Sequence, residues 1–260
     1  MILFKKKFED ECLNLDYLIY SSHKTGTQSL LRTLKANGFK TRHCHYYSNL
    51  GLESGGLREC LEKYAQRRNK KLNVITVFRE PIERHVSSFF QVYGTRPLRI
   101  KEVKNETETI IHKYTIEELQ EAFISELSTQ SLVGYMESLS EMCQELQITT
   151  DDLSLYRKED QFSVYEANNI RLYLIRFDDL VKNFESLLCE ITDKKIKVKL
   201  ANMSAAKWYK NIYAQFKHSL IIPHDTISDV YNSKRDIINF VYADDFDARL
   251  DLALSQYGRK

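Results

Sequence analysis

The stretch from Tyr17 to Leu34 constrains the fold more than any other part of the chain. It begins with the four residues YLIY, an apolar and aromatic run short enough for a buried strand. The residues from Ser21 to Thr27 are small or polar, as is typical of a tight turn. From Gln28 onward leucines recur at helical spacing. The pattern therefore predicts a strand, a turn and a helix in direct succession.

A helix that starts directly after a tight turn is suited to bind an anion. Its first backbone N–H groups have no intrahelical partner, and its dipole places partial positive charge at the turn. Gly26 would allow close approach of the backbone, and Lys24 adds a mobile charge. Hydroxyl groups are available at Thr25, Thr27 and Ser29. The turn is not a Walker A loop, because Lys24 precedes its glycine. A turn that only ends the strand is the alternative.

The length and composition of the chain are those of an ordinary globular protein. With 260 residues, 43% hydrophobic and 28% charged, we expect a single domain over residues 1–260. The net charge of +2 gives no reason to expect a nucleic acid or a membrane surface as partner. Five cysteines without a CxxC pair predict reduced thiols, a cytoplasmic location and no zinc site. We find no apolar run of the length of a membrane span and no signal peptide.

Further segments have the composition of buried strands, at residues 39–47, 71–78 and 169–177. Helical patterns between the first of these predict right-handed crossovers and a parallel sheet. Residues 94 to about 161 are polar and then amphipathic, and predict a variable helical insertion. The expected fold class is α/β, with a central, mainly parallel sheet flanked by helices in three layers.

A second candidate site follows the third predicted strand. Arg79 leaves the strand end, Pro81 fits the first turn of a helix, and Ser87 lies eight positions after Arg79. An arginine fork and a hydroxyl together suit a terminal phosphate. Both candidate sites would lie at the carboxyl edge of the sheet, where open α/β sheets bind their ligands. The alternative is a surface helix with Glu83 and Arg84 solvated.

A third candidate segment, NMSAAKWYKNIYAQF, runs from Asn202 to Phe216 and carries the only tryptophan of the chain. Its amide, hydroxyl and aromatic side chains, with Lys207 and Trp208 among them, could flank a purine or sugar ring. Packing between helices is the alternative role for Trp208.

All three segments resemble motifs of one enzyme family. SSHKTGTQSL resembles the 5′-phosphosulfate loop of sulfotransferases, which use 3′-phosphoadenosine 5′-phosphosulfate (PAPS) as sulfuryl donor. FREPIERHVSSFF resembles their RxPxxRxxSxF motif for the 3′-phosphate, and NMSAAKWY resembles the NxSxxKWY signature of bacterial capsular polysaccharide synthesis proteins. The resemblance touches most of the chain but is sharp only at these three places.

The resemblance implies a P-loop-like fold and an enzyme. It would move a sulfuryl group from PAPS to a hydroxyl of a sugar or polysaccharide, in bacterial capsule or surface glycan synthesis. Adenosine 3′,5′-bisphosphate would be released, and no metal would be needed. The partner would be a glycan or small-molecule acceptor. A nucleotide-dependent phosphoryl transferase and a catalytically inactive nucleotide-binding or glycan-binding component are the alternatives.

The resemblance also assigns roles to residues. Lys24 would neutralise the charge that grows on the leaving phosphate, and Arg79 with Ser87 would hold the 3′-phosphate. The residues expected to contact PAPS are His23, Lys24, Thr25, Gly26, Thr27, Gln28, Ser29, Arg79, Ser87, Lys207 and Trp208.

The acceptor hydroxyl needs a general base, and its assignment stays open. In polysaccharide sulfotransferases this is commonly a glutamate about twenty residues after the loop lysine. This chain has no glutamate at that distance, but His45 stands twenty-one positions after Lys24, and His43 would share its strand face. Histidine suits proton transfer near neutral pH. Glu53 is a further candidate.

Overall fold

A computed structural model describes residues 11–45, 56–93, 114–128, 143–144, 146, 148–149, 151, 154–158, 161–167, 169–201, 209–242 and 245–259. The chain divides into two compact units. The first comprises Met1–Arg79 and Gly134–Ala201, and the second comprises Glu80–Val133 and Asn202–Lys260. The expectation of a single domain stays a prediction.

The strands are β1 (Tyr17–Tyr20), β2 (Thr41–Cys44), β3 (Leu72–Phe78), β4 (Ser154–Lys158), β5 (Phe162–Ala167), β6 (Ile170–Arg176), β7 (Ile222–Pro223) and β8 (Gly258–Arg259). The helices are α1 (Thr27–Ala36), α2 (Gly56–Arg68), α3 (Pro81–Tyr93), α4 (Ile116–Ser128), α5 (Phe177–Lys182), α6 (Phe184–Thr192), α7 (Lys210–Ser219), α8 (His224–Asn232), α9 (Arg235–Tyr242) and α10 (Phe246–Tyr257). None of the helices in the described parts of the chain is both long and apolar enough to cross a membrane.

A six-stranded sheet in the order β2-β1-β3-β6-β5-β4 forms the centre of the first unit. Strands β2, β1, β3 and β6 run parallel, and β5 and β4 are antiparallel to their neighbours. The prediction of a mainly parallel α/β sheet is therefore confirmed. The chain moves from β1 outward to β2 and then back past β1 to β3, so right-handed crossovers place α1 and α2 on opposite faces. This arrangement is compatible with a three-layer fold.

One face of this sheet packs against α1, α5 and α6. Ile19, Ile75 and Ile175 point to that face from three neighbouring strands and belong to one buried cluster with Leu30 and Leu188. Burial of each such side chain contributes about 1.5–3 kcal/mol. This packing fixes the strand ends from which the site residues project.

The prediction of a helical insertion over residues 94 to 161 is wrong for its last part. Ser154–Lys158 is strand β4, which pairs with β5 and has a register shift between Leu155 and Arg157. Helix α4 at Ile116–Ser128 fits the prediction. The strand was missed because its hydrogen-bonding partner, rather than a strong local pattern, decides its conformation.

The second unit is largely helical and has an aromatic core. The ring centroid of Phe89 in α3 lies 5.4 Å from that of Phe123 in α4 and 5.8 Å from that of Phe216 in α7. Pro81 begins α3, as predicted, and the Glu80 carboxylate caps this helix. Such caps satisfy N–H groups that have no partner within the helix.

Glu83 and Arg84 of α3 are not solvated, so that alternative reading of the helix is wrong. Glu83 accepts a hydrogen bond from the Tyr257 hydroxyl and forms an ion pair with Lys217 at 2.7 Å. Arg84 is only 5% exposed. This face of α3 is part of the interior of the second unit.

Candidate functional site

The carboxyl ends of the central parallel strands bring candidate residues together in the first unit. β1 continues into Ser21, β2 into His45, and β3 into Arg79. Because β1 pairs in parallel with both β2 and β3, the three strands end at the same edge of the sheet. Ligands of open α/β sheets bind at such an edge.

Two residues with left-handed backbone conformation shape the turn between β1 and α1. They are Lys24, with φ 67°, and Gly26, with φ 76°. A non-glycine residue in this region costs roughly 1–2 kcal/mol, so its surroundings must hold Lys24 there. Gly26 caps α1 without a side-chain hydrogen bond to the helix N-terminus. The first N–H groups of the helix, on Thr27 and Gln28, therefore point into the turn, as they do at helix N-termini that bind anions.

The turn packs closely against α5 at the glycine. A Cβ atom at Gly26 would lie 3.3 Å from Leu180 Cδ2 and 3.5 Å from Phe177 Cε2, both in α5. The backbone of the turn therefore rests directly on α5. No local pattern could predict that Phe177 contributes to the site, because this contact joins residues far apart in the chain.

The hydroxyl of Thr25 is engaged within the turn, and its contact with a ligand stays a prediction. Thr25 is fully buried and its Oγ1 donates to the carbonyl of Ser22 at 2.8 Å. The same Oγ1 lies 2.8 Å from Oγ of Ser21, which accepts a hydrogen bond from the N–H of Val77 in β3. A hydroxyl has one hydrogen to donate, and here it is used to close the turn.

Polar side chains on one face of α1 hold an extended segment, residues 197–201, and we call this contact the clasp. Ser29, Thr33 and Asn37 follow each other at four-residue intervals. This interval rises about 6.0 Å along a helix, close to the roughly 6.6 Å of two residues in an extended chain. Each of the three side chains bonds both the N–H and the C=O of one residue, at 2.8–3.2 Å, and their partners are Ala201, Lys199 and Lys197 respectively.

The clasp uses the hydroxyl of Ser29, which was predicted to bind the ligand. Ser29 Oγ donates to the carbonyl of Ala201 at 3.0 Å and accepts from its N–H at 2.9 Å. The hydroxyl of Ser29 is therefore engaged in the clasp, and its contact with the ligand stays a prediction. Ala201 lies beside the first turn of α1 as a result. Lys207 and Trp208 follow it in the chain but lie outside the described residues, as does Glu53.

A backbone carbonyl fixes the tautomer of His45. Nδ1 of His45 lies 2.6 Å from the carbonyl oxygen of Ser21. Because a carbonyl only accepts, Nδ1 carries the proton and the neutral ring has its acceptor lone pair on Nε2. Burial lowers the pKa of His45, the bond to Ser21 opposes this, and the charge of Lys24 adds to it. The ring is therefore a neutral base candidate near pH 7.

His43 and His23 lie beside His45. The ring centroid of His43 is 4.4 Å from that of His45, as the shared strand face predicts, and that of His23 is 3.6 Å away. Burial, reinforced by His45, His23 and Arg42, lowers the pKa of His43 to about 4. Nε2 of His43 is buried and has no hydrogen-bond partner among the described residues. His45 is therefore the better-placed base of the two on β2 and its extension.

Arg79 organises the turn. Its Nη1 donates to the carbonyl of Lys24 at 3.0 Å, and its Cζ lies 4.3 Å from the ring centroid of Phe177. This bond helps to hold Lys24 in its left-handed conformation. Arg79 ends the first unit and Ser87 belongs to the second, so a clamp formed by these two residues stays a prediction.

The site consists of a glycine turn, a helix N-terminus, two basic side chains and a histidine cluster. Within the described ranges, no group of three or more His, Cys, Asp or Glu residues could hold a metal ion. No protein family model matches the chain, and no curated protein or solved structure is significantly similar to it. The resemblance to sulfotransferases therefore depends on the sequence motifs alone.

Proposed function

We propose that the chain is a PAPS-dependent sulfotransferase of P-loop-like type that acts on a hydroxyl of a sugar or polysaccharide. One juxtaposition carries the proposal. The turn Ser21–Thr27 leads directly into the N-terminus of α1. The carbonyl of Ser21 in this turn accepts a hydrogen bond from Nδ1 of His45, so that Nε2 of the neutral ring can accept a proton. An anion site and a base at one sheet edge are the two parts that transfer of an anionic group to a hydroxyl requires.

In this proposal the first N–H groups of α1, together with the turn, bind the 5′-phosphate of PAPS. Thr27 and Gln28 lie in the first turn of that helix. Lys24 supplies positive charge next to the phosphate, and Arg79 keeps the turn in shape through its bond to the Lys24 carbonyl. His23 lies over His45 at the exposed side of the site.

The transfer step is an in-line displacement at sulfur. The acceptor oxygen forms a bond to sulfur while the bond from sulfur to the bridging phosphate oxygen breaks. Nε2 of His45 takes the acceptor proton, and adenosine 3′,5′-bisphosphate leaves with negative charge on its 5′-phosphate. Lys24 and the helix N-terminus stabilise that charge.

Calorimetry with adenosine 3′,5′-bisphosphate tests the proposal. We expect it to bind more tightly than AMP or ATP, because only it offers both phosphates of the leaving group. Lys24→Ala should weaken binding about tenfold or more, equivalent to about 1.4 kcal/mol. Lys35→Ala, in the last turn of the same helix, is the control and should bind as the wild type does.

Preference for ATP would contradict the proposal and favour the phosphoryl transferase. Binding of adenosine 3′,5′-bisphosphate without transfer from PAPS to any of a panel of glycans would favour the inactive nucleotide-binding component. Absence of nucleotide binding would contradict all three nucleotide-based functions.

A further inference from the structure

Positive charge is concentrated on one surface of the first unit. The segments 27–40 and 193–201 together contain seven basic residues and one acidic residue, although the whole chain has a net charge of only +2. The clasp joins these two segments through the backbone of residues 197–201. These two basic segments therefore lie side by side.

The clasped segment presents its lysines in a line, which we call the lysine stripe: Lys195, Lys197 and Lys199. All of them are exposed, whereas Ile196 between them is only 3% exposed and Val198 is partly buried. Such alternation is that of an extended chain with one face inward. Successive lysines are then spaced by about 6.6 Å along a line.

The fold does not require lysine at these positions. The clasp bonds only the N–H and C=O groups of Lys197 and Lys199, so it does not depend on their side chains. None of the ion pairs between described residues involves the stripe. Lysines placed this close repel each other, and an anionic partner would relieve the repulsion.

The stripe leads to the candidate active site. Lys197 lies at Asn37, just past the C-terminal end of α1, and the segment ends at Ala201, beside Ser29 in the first turn. That first turn is where the sulfuryl donor is proposed to bind. An anionic polymer that lies along the stripe is therefore directed toward Lys24 and His45.

We propose that the lysine stripe binds an acidic polysaccharide, and that such a polymer is the acceptor in the transfer reaction. The second half of this proposal depends on the function proposed above. Regularly spaced carboxylate or sulfate groups match a line of point charges on flexible stems. Single-stranded nucleic acid fits less well, because it is usually held by aromatic side chains, and segment 193–201 contains none. A lipid surface fits less well too, because Leu200 is the only strongly exposed large apolar side chain of that segment.

Charge-matched variants test the stripe. The triple variant Lys195→Gln, Lys197→Gln, Lys199→Gln removes three positive charges from it. The control variant Arg67→Gln, Arg68→Gln, Lys70→Gln removes the same charge at and just beyond the end of α2, where all three side chains are exposed. Fluorescent polygalacturonate is the acidic probe, and neutral dextran is its uncharged counterpart.

We expect wild-type protein to bind polygalacturonate but not dextran, with an affinity that falls as salt is raised. The stripe variant should lose about tenfold or more in affinity, and the control variant about twofold or less. Equal losses in the two variants, absence of binding, or tighter binding of duplex DNA or of anionic phosphatidylserine vesicles would overturn the proposal. Unchanged thermal melting of the stripe variant would show that its fold is intact.

Calorimetry with adenosine 3′,5′-bisphosphate separates this proposal from the proposed function. The stripe variant should bind the nucleotide as the wild type does, because the stripe is not part of the nucleotide site. If the nucleotide does not bind even to wild type but polygalacturonate does, the role of the polymer as acceptor is overturned. If the nucleotide binds and polygalacturonate does not, the stripe proposal alone is overturned.

Discussion

A single backbone carbonyl decides what the side chain of His45 can do. The Ser21 carbonyl accepts from Nδ1, so the lone pair of the ring is on Nε2. The sequence predicted a histidine in this place but left the choice among His43, His45 and Glu53 open. Spacing alone could not decide it, because the tautomer depends on a contact between two residues that directly follow different strands.

Replacement of the base should separate transfer from binding. His45→Asn keeps an N–H donor for the Ser21 carbonyl but has no proton acceptor of suitable pKa. We expect turnover of PAPS with an accepted glycan to fall about 10²–10⁴-fold, while calorimetry shows unchanged binding of adenosine 3′,5′-bisphosphate. His218→Asn, on the exposed side of α7, is the matched control. Undiminished transfer would exclude His45 as the base and direct attention to Glu53.

Alanine substitutions at two glycines separate the cost of backbone strain from the cost of a steric contact, both measured as unfolding free energy. Both Gly26 and Gly38 have positive φ, but a Cβ at Gly38 has nothing within 4 Å, whereas one at Gly26 meets Leu180 at 3.3 Å. Gly38→Ala should cost about 1 kcal/mol of unfolding free energy from conformation alone. Gly26→Ala should cost more, about 2 kcal/mol or above. Urea denaturation measures both, and equal costs would mean that α5 yields to the added methyl group.

At the scale of the elements, local patterns predicted some parts of the fold and missed others. β1, α1 and β3 were predicted within one or two residues of their bounds, because each has a strong apolar pattern and clear end signals. The antiparallel strands β4 and β5 were missed because pairing with distant residues stabilises them. The clasp was missed as well, because Thr33 and Asn37 resemble ordinary polar positions on a helix.

The middle of the three hydrogen-bonded pairs of the clasp, Thr33 with Lys199, offers a test of how much the clasp contributes to stability. We call each such pair a rung. Thr33 is fully buried, and its hydroxyl bonds both the N–H and the C=O of Lys199. Thr33→Val keeps the shape but leaves these two backbone groups without their partner, so we expect a loss of about 1–3 kcal/mol in the free energy of unfolding. Thr33→Ser retains the hydroxyl and should lose much less. If valine and serine cost the same in urea denaturation, the hydrogen bonds of this rung contribute little.

At the scale of the whole molecule, several histidines make the fold sensitive to acid. Burial is the main cause that lowers the pKa of His43, His45 and His85. Below the unfolded pKa of about 6.5, the unfolded chain binds protons that the folded chain does not. The free energy of unfolding therefore decreases as the pH is lowered. Glu80 acts in the opposite direction, because burial raises its pKa. A comparison of the wild type with a histidine variant therefore isolates the contribution of that histidine to the pH dependence of the unfolding free energy.

His43→Gln should make the protein less sensitive to acid. Between pH 6.5 and 5 a histidine with a folded pKa of about 4 lowers stability by at most about 2 kcal/mol, and solvent screening reduces this. Above about pH 7.5 the ring is almost entirely neutral in both states and contributes almost nothing to the slope. We therefore expect the loss in unfolding free energy from pH 7 to pH 5 to be smaller in His43→Gln than in the wild type. Equal losses would mean that the folded protein protonates His43 readily.

The bulk composition of the chain does not reveal that two basic segments lie side by side. A net charge of +2 offered no reason to expect a nucleic acid or a membrane surface as partner, because total charge does not report where charges lie. Segments 27–40 and 193–201 are far apart in sequence, and only the folded chain places them side by side. The anion site at the turn could be predicted, in contrast, because its strand, turn and helix are contiguous.

The clasp matches four residues of a helix, which rise about 6.0 Å, with two residues of an extended chain, which rise about 6.6 Å. The difference of about 0.6 Å per rung grows to more than 1 Å across three rungs, so a longer ladder would lose its hydrogen bonds. Slippage by one residue would turn the lysines inward and is forbidden by their charge. A shift by two residues, about 6.6 Å, would bring Asp193 or Ala201 into one of the three lysine positions. The observed register is therefore the one that keeps Lys195, Lys197 and Lys199 together on the outer face, alongside α1.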